Sequence, residues 1–88
     1  MTQTTHILLV DDDKNNSLAM VRSLKNPHFT FHVCENAADA LILLDTHPEI
    51  GLILTDYAMP NMNGLNLLKT VKENYPTTIR FMISAFED

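Results

Sequence analysis

Three consecutive carboxylates, Asp11-Asp12-Asp13, follow directly on the aliphatic run Ile7-Leu8-Leu9-Val10. A fourth, Asp56, follows Leu52-Ile53-Leu54-Thr55. Carboxylate oxygens are hard ligands for a divalent cation, and a carboxylate held at a reacting centre can serve as a nucleophile. Both uses require acids from distant parts of the chain to meet. Aliphatic runs of this kind read as buried parallel strands. In an open α/β sheet the carboxyl ends of the strands form the edge where ligands bind, at the point where the strand order reverses. If the two strands are neighbours, the acids make one compact pocket, suited to a hard cation and one carboxylate left free to react.

The elements that must position these acids follow from periodicity. Residues 6–10 form the first strand. Lys14 to Lys25 is helical by pattern, with Leu18, Val21 and Leu24 on one face, Asn15 or Asn16 as the cap, and Asn26-Pro27 as the stop. Phe29, Phe31 and Val33 alternate with Thr30, His32 and Cys34, a period-2 strand. Asn36 followed by Asp39 opens a second helix with the stripe Ala37, Ala40, Leu41 and Leu44, closed by His47-Pro48. Gly51 to Thr55 is the third strand, and Tyr57 to Gly64 a loop. Leu65, Leu68, Val71 and Tyr75 mark a third helix ended by Pro76, and Ile79 to Ile83 is the fourth strand. Strict β-α alternation predicts a doubly wound parallel sheet with helices on both faces and right-handed crossovers.

Composition narrows the function classes. Eighty-eight residues suit one domain, and 45% hydrophobic content is that of a globular chain. A net charge of −5, with six scattered basic residues, argues against nucleic-acid binding by this segment. The one cysteine, Cys34, has no internal disulfide partner and fits a reducing compartment. No apolar stretch reaches membrane length, and the first residues are not a signal peptide, so a cytoplasmic domain is expected. His6, His28, His32 and His47 follow no ligand spacing and read as surface or partly buried structural residues.

Three segments, Ile-Leu-Leu-Val-Asp-Asp-Asp, Leu-Thr-Asp-Tyr-Ala-Met-Pro-Asn-Met-Asn-Gly and Met-Ile-Ser-Ala, resemble the receiver domains of response regulators, the phosphoacceptor modules of two-component signalling. The resemblance spans residues 6–86. It implies a flavodoxin-like fold of order 2-1-3-4, with residues 1–88 as its N-terminal portion, short of the last helix-strand-helix. It implies that Asp11 and Asp12 hold Mg²⁺, with Asp12 ligating directly and Asp11 through water. It further implies that Asp56 ligates the metal and accepts a phosphoryl group, that the Ala58 backbone carbonyl completes the metal site, and that Ser84 contacts the phosphoryl group. The implied donor is a sensor histidine kinase or a phosphotransfer protein. The family's lysine on a fifth strand has no counterpart in these residues, which should weaken phosphoryl transfer.

Other readings of the same residues stay open. A non-phosphorylated receiver-like scaffold needs no competent pocket. Asp11-x-Asp13 after a strand also resembles the start of haloacid-dehalogenase-like phosphatases, which would make Asp11 the nucleophile. The chain is either a fragment, a natural truncation, or one of two copies completing each other's sheets. An apolar fourth strand at the sheet edge predicts self-association.

Overall fold

The computed structural model describes residues 4–56 and 64–83. Its elements run β1 (Thr5–Val10), α1 (Lys14–Ser23), β2 (Phe29–Cys34), α2 (Ala37–Thr46), β3 (Ile50–Asp56), α3 (Gly64–Asn74) and β4 (Ile79–Ile83). The four strands form one parallel sheet in the order β2-β1-β3-β4. This is the expected flavodoxin-like arrangement, with the order reversing between β1 and β3. The chain moves one way across the sheet from β1 to β2 and the other way from β2 to β3. Right-handed crossovers therefore place α1 on one face and α2 with α3 on the other.

The face under α2 and α3 is the dry one. Leu8, Val10 and Ile53 from the strands pack with Ala37, Ala40 and Leu44 of α2 and with Leu67 and Val71 of α3. Leu8, Val10, Ala40, Ile53, Leu67 and Val71 are fully buried. Both strands next to the reversal point thus present aliphatic side chains to a helix layer, which explains their unbroken apolar runs. Ile7 and Leu9, pointing to the α1 face, are buried as well.

α2 starts where the sequence predicts. The Asn36 side chain accepts from the Asp39 N–H at 2.8 Å and donates through Nδ2 to the Asp39 carboxylate at 3.1 Å. α1 departs from expectation. Its cap is Asp13, not Asn15 or Asn16; the Asp13 carboxylate accepts from the N–H groups of Asn15 at 2.9 Å and Asn16 at 3.4 Å. The aspartate lies one residue before the first helical turn, where a side-chain acceptor reaches the second and third helical N–H groups. The helix ends at Ser23, short of Lys25. Its apolar stripe is not its buried face either: Leu18 is 55% exposed and Leu24 is exposed, while Ser17 is buried. In α3, Leu67 takes the core position and Leu65 is exposed. In β2 the buried end is Cys34, with its neighbour Val33 exposed.

Candidate functional site at the carboxyl edge of the sheet

The register of β1 on β3 decides whether the acids meet. Val10 pairs with Thr55, so Asp11, the residue after β1, and Asp56, the last residue of β3, stand side by side at the carboxyl edge. The ladder to β2 continues one step further on the other side, because the Asp11 N–H donates to the Cys34 carbonyl at 3.1 Å. Asp11 is therefore fixed by backbone pairing rather than carried on a free loop. One oxygen each of Asp11, Asp12 and Asp56 can lie within 4.8 Å of one another. Asp11 and Asp56 are half-buried and Asp12 is exposed.

The three successive aspartates divide their work. Asp13 is committed to the α1 N-terminus, where its charge also suits the helix dipole. Its own N–H donates to Asp11 Oδ1 at 2.9 Å, closing a tight turn that holds the Asp11 carboxylate over the sheet edge. Burial pushes the Asp11 carboxyl above its ordinary value; the Asp13 N–H opposes this, and the charges of Asp56, Asp12 and Asp13 add to the rise. Among the described residues no ion pair reaches these carboxylates: Lys14, the nearest basic residue in sequence, contacts Glu35 at 3.7 Å. The result is a cluster of three oxygen donors with no cationic side chain paired to it among the described residues. Such a donor set fits a hard divalent cation that keeps several of its waters. Asp11, Asp12 and Asp56 are the residues that would hold it. Among the described residues a concavity of about 620 Å³ lies elsewhere, between α1, β2 and the start of α2, and is lined by Ser17, Cys34 and Leu43.

Ala58 and Ser84, the other expected contributors, lie outside the described residues.

Residues 7–88 match the model of the response regulator receiver domain family. The chain belongs to that family. A receiver domain accounts for both the strand order and the acidic edge. Among relatives, the chain is 38% identical over 69 residues to the two-component response regulator ORR11 of Oryza sativa subsp. indica, covering 78% of this chain and 47% of that protein. It is 33% identical over 86 residues to the DNA-binding transcriptional regulator NtrC of Proteus hauseri, covering 98% of this chain and 18% of that one. The chain thus spans about half the length, or less, of these relatives. Among solved structures, the signal receiver domain of an HD domain-containing protein from Pseudomonas fluorescens Pf-5 superposes with a TM-score of 0.89 at 29% identity, covering 98% of this chain and 68% of that one. The response regulator TrrA of Thermotoga maritima, in complex with Mg²⁺ and BeF, superposes with a TM-score of 0.87 at 21% identity, covering 96% of this chain and 72% of that one.

The sequence reading of the histidines missed an assembly. His6, His32 and His47 come together with Glu49 at the opposite, amino-terminal end of the sheet. Their spacing carried no signal because the four residues sit on β1, β2 and the turn between α2 and β3.

Proposed function

We propose that this receiver domain is a phosphoacceptor switch in which Asp56 takes a phosphoryl group from a sensor histidine kinase or a phosphotransfer protein. The observation that carries the proposal is the convergence of Asp11, Asp12 and Asp56 within 4.8 Å, with no basic side chain paired to them among the described residues. An Asp56 carboxylate oxygen attacks phosphorus in line, the donor's N–P bond breaks, and the imidazole leaves with its electron pair. Asp11 and Asp12 hold the cation site beside Asp56, with the Ala58 carbonyl as a further ligand. When bound, Mg²⁺ offsets the repulsion between carboxylates and incoming phosphoryl oxygens. Ser84 is assigned the contact to the transferred group. The domain acts as a signalling switch; its covalent chemistry is confined to its own aspartate. No helix among the described residues is long and apolar enough to cross a membrane, and we place the domain in the cytoplasm. We further assign a second copy of the chain as a partner for β4.

The test is uptake of phosphate by the purified protein with Mg²⁺ and a small phosphodonor such as acetyl phosphate, read by intact-mass spectrometry. One phosphoryl group per chain is expected, absent in D56N and absent when EDTA removes Mg²⁺. Uptake by D56N at the wild-type rate, lost instead in D11N, would move the nucleophile to Asp11 and favour the phosphatase-like alternative. No uptake from either a small phosphodonor or a phosphorylated kinase would favour a scaffold.

A further inference from the structure

His6 Nδ1 and His32 Nε2 stand 3.1 Å apart. Both residues are on the sheet face that carries α2, since His6 shares a face with Leu8 and Leu8 pairs with His32. His47, the C-cap of α2, brings its ring to 5.1 Å from that of His32. Its Nδ1 lies 3.3 Å from Glu49 Oε2. One nitrogen each of His6 and His32 and one oxygen of Glu49 lie within 4.8 Å of one another. Three of the four histidines in the chain are thereby gathered with one carboxylate, all half-buried except Glu49. Five residue steps, roughly 16 Å at about 3.3 Å per step, separate His6 from Asp11. The cluster is not part of the phosphoacceptor edge.

A neutral imidazole has one donor and one acceptor nitrogen, so the His6–His32 contact needs a proton shared between two ring nitrogens. A metal can take the place of that proton. Around Zn²⁺, with bonds of about 2.0–2.1 Å and tetrahedral angles, neighbouring donor atoms stand about 3.3 Å apart. The 3.1 Å His6–His32 separation is within a few tenths of that. The donor set is also selective. Two or three imidazoles and one carboxylate suit Zn²⁺ and similar first-row dications, whereas Mg²⁺ prefers oxygen alone.

We propose that His6 Nδ1, His32 Nε2 and the Glu49 carboxylate form a second metal site, for Zn²⁺ or a similar first-row transition dication, with His47 orienting Glu49. The site staples the start of β1 to β2 and to the turn entering β3. Metal bound there favours the folded chain and stabilises it by an amount that grows with the logarithm of metal concentration.

The experiment is calorimetric titration of Zn²⁺ into the untagged, EDTA-stripped protein in a buffer holding excess Mg²⁺, which occupies the oxygen-donor edge. One equivalent is expected per chain, with affinity reduced at least about tenfold in H6Q and in H32Q, and about tenfold in E49Q. D56N and H28Q should bind as the wild type does, and one equivalent of Zn²⁺ should raise the melting temperature of the wild type but not of H6Q. H32Q alters a half-buried strand residue; if circular dichroism shows it unfolded, H6Q and E49Q decide. Absence of binding by the wild type, or binding that survives both H6Q and E49Q, overturns the proposal. Loss of the titration in D56N would place the ion at the acidic edge and overturn it as well. Phosphoryl uptake at Asp56 can fail without changing any of these results.

Discussion

At the scale of single residues, the acidic edge is a balance between charge repulsion and burial, and Asp11 is where that balance is measurable. Burial and the neighbouring carboxylates raise its folded pKa. A raised folded pKa means that stability is fully present below the unfolded value and is lost as pH rises through the folded one. At neutral pH, Asp11 thus costs stability unless a cation sits beside it. D11N should raise the metal-free melting temperature by on the order of 1–4 °C, since the residue is only half-buried and solvent screens much of the effect. The same variant should lose the further rise that Mg²⁺ gives the wild type. A D11N melting point below that of the wild type without Mg²⁺ would show that the carboxylate has a structural partner outweighing repulsion. Cys34 gives a second reading. Burial, reinforced by the charges of Asp39 and Glu35, pushes its thiol up to about 11 from 9.0. Near pH 8 the native thiolate fraction is then about a hundredfold lower than in the unfolded chain. Alkylation by iodoacetamide should be slower by at least that factor, and should become rapid in denaturant. Equal rates in the two states would mean that Cys34 is not held in the core.

At the scale of elements, the capping of α1 separates what the sequence disclosed from what it hid. The side chain of Asp13 satisfies two N–H groups of the first turn. D13A should cost about 1 kcal/mol, within a range of about 0.5–2 kcal/mol, or roughly 4–8 °C per kcal/mol in a domain of this length. D13N keeps the acceptor and should cost much less. Neither change should reduce phosphoryl uptake, whereas D12N should reduce it. A thermal melt of the three variants beside an uptake assay checks this division of the aspartates. From sequence, the family resemblance set Asp11 and Asp12 apart as metal ligands; the turn that points Asp13 at the helix and Asp11 at the sheet edge gives that division its physical cause. β1 was legible because Ile7 to Val10 are buried on both faces, and β3 because Ile53 is buried under α2 and α3 while Leu52 and Leu54 are half-buried on the other face, which favours aliphatic runs. The order of the strands rested on family resemblance. The buried face of α1 was misread because Leu18 and Leu24 are spaced as a stripe yet stand exposed, with the small Ser17 in the packed position. The meeting of Asp11 with Asp56 was foreseeable from the strand ends once the strand order was taken from the family resemblance. The meeting of His6 with His32 and Glu49 was not, because it depends on the β1–β2 register and on a turn whose geometry leaves no mark in residue spacing.

At the scale of the whole molecule, the two faces of the sheet are unequal. Parallel sheets are ordinarily covered on both sides, since their strands carry aliphatic side chains on both. The face under α2 and α3 is sealed around Leu8, Val10 and Ile53. On the other face, Leu52 pairs with Ile79 and Leu54 with Phe81, so these four side chains form one strip. Ile79 is 59% exposed and Phe81 55% exposed. β4 also lies at the edge of the sheet among the described residues, with one row of its backbone groups unpaired. An apolar strip beside an open strand edge favours pairing with a second copy. The 88-residue chain should accordingly associate as its concentration rises. Phe81 is the residue with most to gain. Burying a phenyl side chain contributes about 1.5–3 kcal/mol, so F81K should weaken association by tenfold or more. The substitution faces away from the core of α2 and α3 and leaves the Val10–Thr55 register intact, so F81K should still take up phosphate at Asp56. Sedimentation velocity over a concentration series, on both proteins, measures the effect directly. A wild-type chain that stays monomeric at the highest concentration would show that exposure of this strip is too small to drive pairing. Association that F81K leaves untouched would move the contact to Leu18 and Val33, the exposed apolar residues beside α1.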